Sequence, residues 1–120
     1  MSDPQVRRIN FSKVVGSPYC VSIEDGGKAH DAVVEALEGG ARVEISFEGI
    51  TRLTTAFLNA AVGQLYDDYT EEQLKSLLLP PINATQEQLR LLVKVVENAK
   101  KFFADPDRQR AAFQAAQGDE

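Results

Sequence analysis

The sequence predicts an α/β fold: one small domain with a mixed sheet of about four strands and helices packed on one face. Three observations predict it. Three short segments alternate apolar and polar residues with the period of a strand. Later segments repeat their apolar residues at three and four, the period of a helix. Two Thr-x-x-Gln capping signals stand where helices should open. Because the strands alternate, one sheet face meets the core and the other meets water, which leaves a single face for helices. The order reads β-β-α-β-α-β-α, followed by a C-terminal helical appendage. At 120 residues the chain is long enough for one core without disulfides or metal. The domain is placed at residues 1–104 and the helical tail at 105–120.

The first strand is expected at Val6 to Phe11, with Ile9 and Phe11 inward and Arg8 and Asn10 outward. Gly16-Ser-Pro18 breaks it. Tyr19, Val21 and Ile23 alternate with Cys20, Ser22 and Glu24, giving a second strand that pairs with the first as a hairpin and leaves Cys20 on the more polar face. Asp25-Gly-Gly27 reads as a turn into a helix from Lys28 to Glu38, with Ala29, Val33, Ala36 and Leu37 as its apolar stripe and Gly39-Gly40 as its end. In the third strand Val43, Ile45 and Phe47 alternate with Glu44 and Ser46. After Gly49, the residues Leu53, Phe57, Leu58, Ala61, Val62 and Leu65 fall at helical spacing, with Thr54 as N-cap and Leu53 and Leu58 placed to form a hydrophobic staple.

Asp67 to Thr70 is a polar break, and Thr70-Glu-Glu-Gln73 has the form of a capping box for a single turn of helix. Leu77-Leu-Leu79, stopped by Pro80-Pro81, reads as a short inner strand. Thr85-Gln-Glu-Gln88 is a second capping box. It opens the longest periodic segment, with Leu89, Leu92, Val93, Val96 and Phe103 on one face and Leu91, Val95 and Phe102 widening it beyond what one sheet contact uses. Asp105-Pro106 opens a last helix, Asp107 to Gln117, with Phe113 as its bulky anchor.

Hydrophobic content of 43% and charged content of 26% exclude a wholly disordered chain. One cysteine makes no internal disulfide, and one histidine leads no metal cluster. A net charge of −5, with Arg7, Arg8 and Lys13 as the basic cluster, disfavours nucleic acid as a partner. No apolar run approaches the roughly 20 residues of a membrane span, and the first residues lack a signal peptide's apolar core, so a cytoplasmic protein without a membrane partner is expected.

Candidate chemistry is sparse. Cys20 with His30 as base lacks a nucleophile elbow, and His30 is expected on the exposed side of its helix. Asp67, Asp68, Glu71 and Glu72 lack the spacing of a calcium loop and read as a solvated turn. Asp25-Gly-Gly27 lacks the Lys-Ser/Thr of a P-loop. No cofactor, metal or catalytic residue is therefore expected. The strongest candidate is the start of the central helix, where Thr51, Thr54 and Thr55 surround free backbone N–H groups. Ala56, Ala60 and Gly63 add a stripe of small residues that either admits a partner's backbone or packs against the chain's own neighbouring helix.

The stretch Ile50-Thr51-Arg52-Leu53-Thr54-Thr55-Ala56-Phe57-Leu58, following a strand and an acidic-Gly turn, resembles the core of a STAS domain, the sulphate-transporter and anti-sigma-antagonist family. It is most similar to the STAS-like branch whose pattern is a strand, D/S-F-x-G-V, then T-S-S-F-L opening a helix. The likeness covers about residues 15 to 100 as an order of elements and residues 43 to 58 at the level of motif. In the antagonist branch the junction reads roughly Asp-Ser-Ser-Gly-Leu, which falls on Thr54, Thr55, Ala56, Phe57 and Leu58. The family's phospho-acceptor position is then Ala56, whose methyl group takes no phosphate. The resemblance implies a non-enzymatic signalling module that docks a histidine-kinase-like ATPase or an anti-sigma-type protein. The docking residues it implies are Glu48, Gly49, Thr51, Thr54, Thr55, Ala56 and Asn59. The alternative is a structural homo-oligomer or subunit that uses the apolar face of the 86–103 helix and the C-terminal tail.

Overall fold

The structure, a computed structural model, describes residues 5–104. Strand β1, Val6–Asn10, runs straight into a short helix, α1, Phe11–Val15. Asn10 causes the change, because its side-chain oxygen accepts a hydrogen bond from the Lys13 amide at 3.3 Å and caps the helix. Gly16, left-handed at φ 79°, closes it. Strand β2 is only Tyr19–Cys20, and helix α2 spans Ile23–Glu38. The expected second strand stops early because the Ser22 hydroxyl accepts from the Asp25 amide at 3.0 Å and opens α2 there. Its facing is also reversed. Tyr19 and Ile23 are 55% and 68% exposed, whereas Cys20 is fully buried. Asp25-Gly-Gly27 is accordingly part of α2 and not a turn. The stripe Ala29, Val33, Ala36 and Leu37 is buried as expected, and the helix ends at Gly39.

Strand β3 is Arg42–Ser46 and β4 is Arg52–Leu53. The central helix follows as α3, Thr55–Leu58, a π turn over Asn59–Gly63, and α4, Leu65–Asp68. Helix α5 is Glu71–Leu77, two turns where one was expected, and α6 is Gln86–Ala104. Both capping boxes form: Thr70 and Gln73 exchange bonds of 2.8 and 3.1 Å, and Thr85 and Gln88 exchange bonds of 2.9 and 3.1 Å.

The first two strands do not form a hairpin. β1 pairs parallel with β3, from Val6↔Arg42 to Asn10↔Ser46, and β2 pairs parallel with β4. A helix capped at the last residue of β1 leaves no tight reversal, so each strand finds its partner only after a longer crossover, which is the parallel arrangement. The described residues thus hold two two-stranded parallel sheets instead of one mixed sheet of about four strands. The Leu77-Leu-Leu79 strand is likewise displaced. Leu77 closes α5, and Leu78 and Ile82 make single parallel bridges to Val43 and Ser46 on β3.

Phe11 lies at the centre of the core, its ring 5.5 Å from Phe57 and 5.9 Å from Phe47. Helix α1, the end of β3 and the start of the central helix therefore converge on one aromatic group. Helix α6 is rotated from its expected facing. Val95 and Ala99 are buried, Leu91, Leu92 and Val96 flank them, and Leu89, Val93 and Phe102 are exposed. A capping box sets where a helix begins but not which face it buries; here Gly63 of the central helix offers the hollow that Val95 and Ala99 occupy. The expected last helix and Phe113 lie outside the described residues.

Candidate functional site

The start of the central helix is built by local bonds. Thr54 has extended backbone angles, and its hydroxyl accepts from the Phe57 amide at 3.2 Å while donating to the Val21 carbonyl at 2.8 Å. That hydroxyl is fully used inside the chain, tying the helix to the segment between β2 and α2. Thr55 is half-buried, and Ala56 and Asn59 are exposed one turn apart on the outer surface. The preceding loop is pinned from two sides. The Ser12 hydroxyl is 2.8 Å from the Glu48 carbonyl and 2.7 Å from Asn10 Oδ1, and the Ser46 hydroxyl accepts from the Glu48 amide at 3.3 Å and from Asn83 Nδ2 at 3.1 Å. Gly49 turns the chain at φ 82°, and a side chain there would also press on Ser12. Sequence reading missed Ser12, Ser46 and Asn83; Asn10-x-x-Lys13, a helix-opening pattern, was the available signal for α1.

A model of the STAS-like domain of unknown function (DUF4325) matches residues 25–88, which takes in all but the first two residues of α2, with β3, β4, the central helix and α5. The chain belongs to this STAS-like family. No curated protein and no solved structure matches it. The match contains every residue that the sequence singled out for docking.

Among the described residues, three of these in the STAS-like domain border separate hollows. Glu48 borders a hollow with Arg7, Arg8 and Lys13; Thr51 borders one with Thr85 and Gln88; Asn59 borders a third with Gly63 and Asn98. The small residues behind Ala56 serve the fold. A Cβ on Gly26 of α2 would lie 2.7 Å from the Ala60 methyl and 2.6 Å from the Phe57 carbonyl oxygen, and Gly63 faces Val95 and Ala99. Ala60 and Gly63 therefore let α2 and α6 approach the central helix; Ala56 is exposed, Ala60 half-buried and Gly63 buried.

The rival chemistries find little support. Burial, with a smaller contribution from the Asp25 carboxylate, pushes the Cys20 thiol up to about 11 from its ordinary value of 9.0, opposite to the shift of an activated nucleophile. His30, expected on the exposed side of α2, is half-buried, and its Nδ1 lacks a hydrogen-bond partner among the described residues. No three His, Cys, Asp or Glu side chains among the described residues converge to hold a metal ion. Of the acidic run, Glu71 is taken by Lys100 at 3.2 Å and Lys75 at 3.9 Å.

Proposed function

We propose that this STAS-like domain is a regulatory interaction module that acts by binding another protein and not by catalysis. Its partner is a histidine-kinase-like ATPase or an anti-sigma-type protein, and the docking surface is the start of the central helix, with Thr55, Ala56 and Asn59 as contacts and the Glu48-Gly49 turn and Thr51 at its margin. The observation that carries the reading is the rigid presentation of this helix start. Thr54 is committed to two internal bonds, so Ala56 and Asn59 are held on a surface that needs no ordering when a partner arrives. With a methyl at the family's phospho-acceptor position, the module binds constitutively. Thr55 precedes Ala56 by one residue and so points about 100° away around a helix axis, which removes it from in-line reach of a kinase built for the next position.

Co-purification from the native host with mass spectrometry identifies the partner, and calorimetry then measures the affinity of two variants. Ala56→Asp should weaken binding at least about tenfold by placing an unpaired charge in the contact, whereas Thr55→Ala should leave regulation unaltered. A partner that binds the Ala56→Asp variant as tightly as the parent, or phosphothreonine at Thr55 in protein from the host, overturns this reading.

A further inference from the structure

Among the described residues, the outer face of α6 makes no contact that explains its composition. Leu89 and Val93, four residues apart and so on one ridge, are 36% and 53% exposed. They line a shallow groove with Arg90, Lys94, Glu97 and Asn98. Among the described residues, Arg90, Lys94 and Glu97 take part in no ion pair, although Lys75 and Lys100 nearby in the fold both pair with Glu71. The face therefore offers two apolar side chains between unpartnered charges, and the order of those charges along the helix is positive, positive, negative.

We propose that two copies of this chain associate through this face, with the two α6 helices antiparallel across a twofold axis near Val93. That axis sets Val93 against its twin. It also brings Arg90 of each copy opposite Glu97 of the other, so one residue pair yields two opposite-charge contacts by symmetry. A parallel arrangement would carry Arg90 and Glu97 of the two copies to opposite sides of the seam, so the pair would make no opposite-charge contact. The aliphatic stem of Lys94 covers the flank of the paired valines while its ammonium group stays in water. One helix face of this size falls at the small end of specific interfaces, so the dimer is weak and concentration-dependent. None of the docking residues at the start of the central helix belongs to this face, although Asn98 borders both this groove and the hollow beside Asn59.

The test is sedimentation of the full chain over a range of concentrations. The parent should shift toward a dimer as concentration rises. Val93→Glu, a change at an exposed position that leaves the core untouched, should return it to monomer. Arg90→Glu alone and Glu97→Arg alone should each weaken association about tenfold. Mixing these two variants should restore it, because the copy with Arg90→Glu then carries an acid at both positions and the copy with Glu97→Arg a base at both, so each contact of the mixed dimer joins opposite charges. A chain that stays monomeric at every concentration overturns the proposal, as does a dimer indifferent to Val93→Glu or a mixture no tighter than its components.

Discussion

Helices α2 and α6 both lie against the central helix, but they reach it differently. Helix α2 approaches through Gly26, so closely that its missing Cβ would sit 2.6 Å from the Phe57 carbonyl oxygen. Helix α6 approaches through Val95 and Ala99 against Gly63, where an added Cβ would find its nearest neighbour, Asn59 Oδ1, at 3.4 Å. The first contact is backbone on backbone and has no slack. The second is side chain on glycine and has some. The difference also shows in what each helix leaves uncovered: α2 buries Ala29, Val33, Ala36 and Leu37 and exposes a large apolar side chain only at its first residue, Ile23, whereas α6 keeps Leu89, Val93 and Phe102 exposed along its length. One helix is a fixed part of the core, and the other is a part of the core with a second, outward face.

The comparison breaks first at its glycines. Gly26→Ala should destabilise the fold by about 3 kcal/mol, because a rigid backbone oxygen must move. Gly63→Ala should be near neutral, the gain in helix propensity offsetting a tight but ordinary contact. Gly27→Ala, with nothing within 4 Å of its new methyl, should stabilise α2 by about 0.5–1 kcal/mol. Urea unfolding of the three variants measures all of this, and equal effects at Gly26 and Gly63 would erase the distinction between the interfaces.

On the α6 side, Val95→Ala should cost about 2 kcal/mol, since the side chain is buried against the central helix, while Val93→Ala should stay within about 0.5 kcal/mol. The same denaturation series checks the pair. A larger effect at Val93 would mean that α6 is docked in the facing its apolar pattern first suggested.

An effect confined to alkaline pH concerns Cys20, at the entry to α2. Its thiol is raised to about 11 in the folded chain against 9.0 ordinarily. The unfolded chain therefore loses the proton first. Stability is fully present below pH 9.0 and falls as pH rises through that window, by up to about 3 kcal/mol. Cys20→Ala should flatten this alkaline loss. Amide exchange should place the loosening in α2 and not in α6; the reverse pattern would mean that the α2 contact is not the tighter one.

Signals confined to a few neighbouring residues were legible in the sequence, and signals that depend on distant chain were not. Thr54, Thr70 and Thr85 each cap the helix they were read to cap, because a cap is settled within four residues. The buried stripe of α2 stands, and Val43, Ile45 and Phe47 are buried as read, but the alternation fails at Ser46, which is fully buried because the chain around Ile82 and Asn83 covers that side of β3. The apolar period of Tyr19, Val21 and Ile23 misled, since Ser22-x-x-Asp25 in the same segment is a helix opening that competes with it. Strand pairing failed for a different reason. Nothing near β1 or β2 records which partner lies beyond the next helix. At the candidate site, the helix start and its cap were readable. The commitment of Ala60 and Gly63 to internal contacts was not, because it depends on where α2 and α6 come to rest.

The parallel pairing of β1 with β3 sets an order on how the chain can become structured. Register partners such as Arg8 and Glu44 are 36 residues apart, and the two-residue pairing of β2 with β4 spans about as far, as the 33 residues between Val21 and Thr54 show. Neither pairing has a local turn to nucleate it, so the loop through α2 must close before either gains anything. A ribosome delivering this chain releases β1 well before β3, so neither sheet can pair until the segment through α2 has followed.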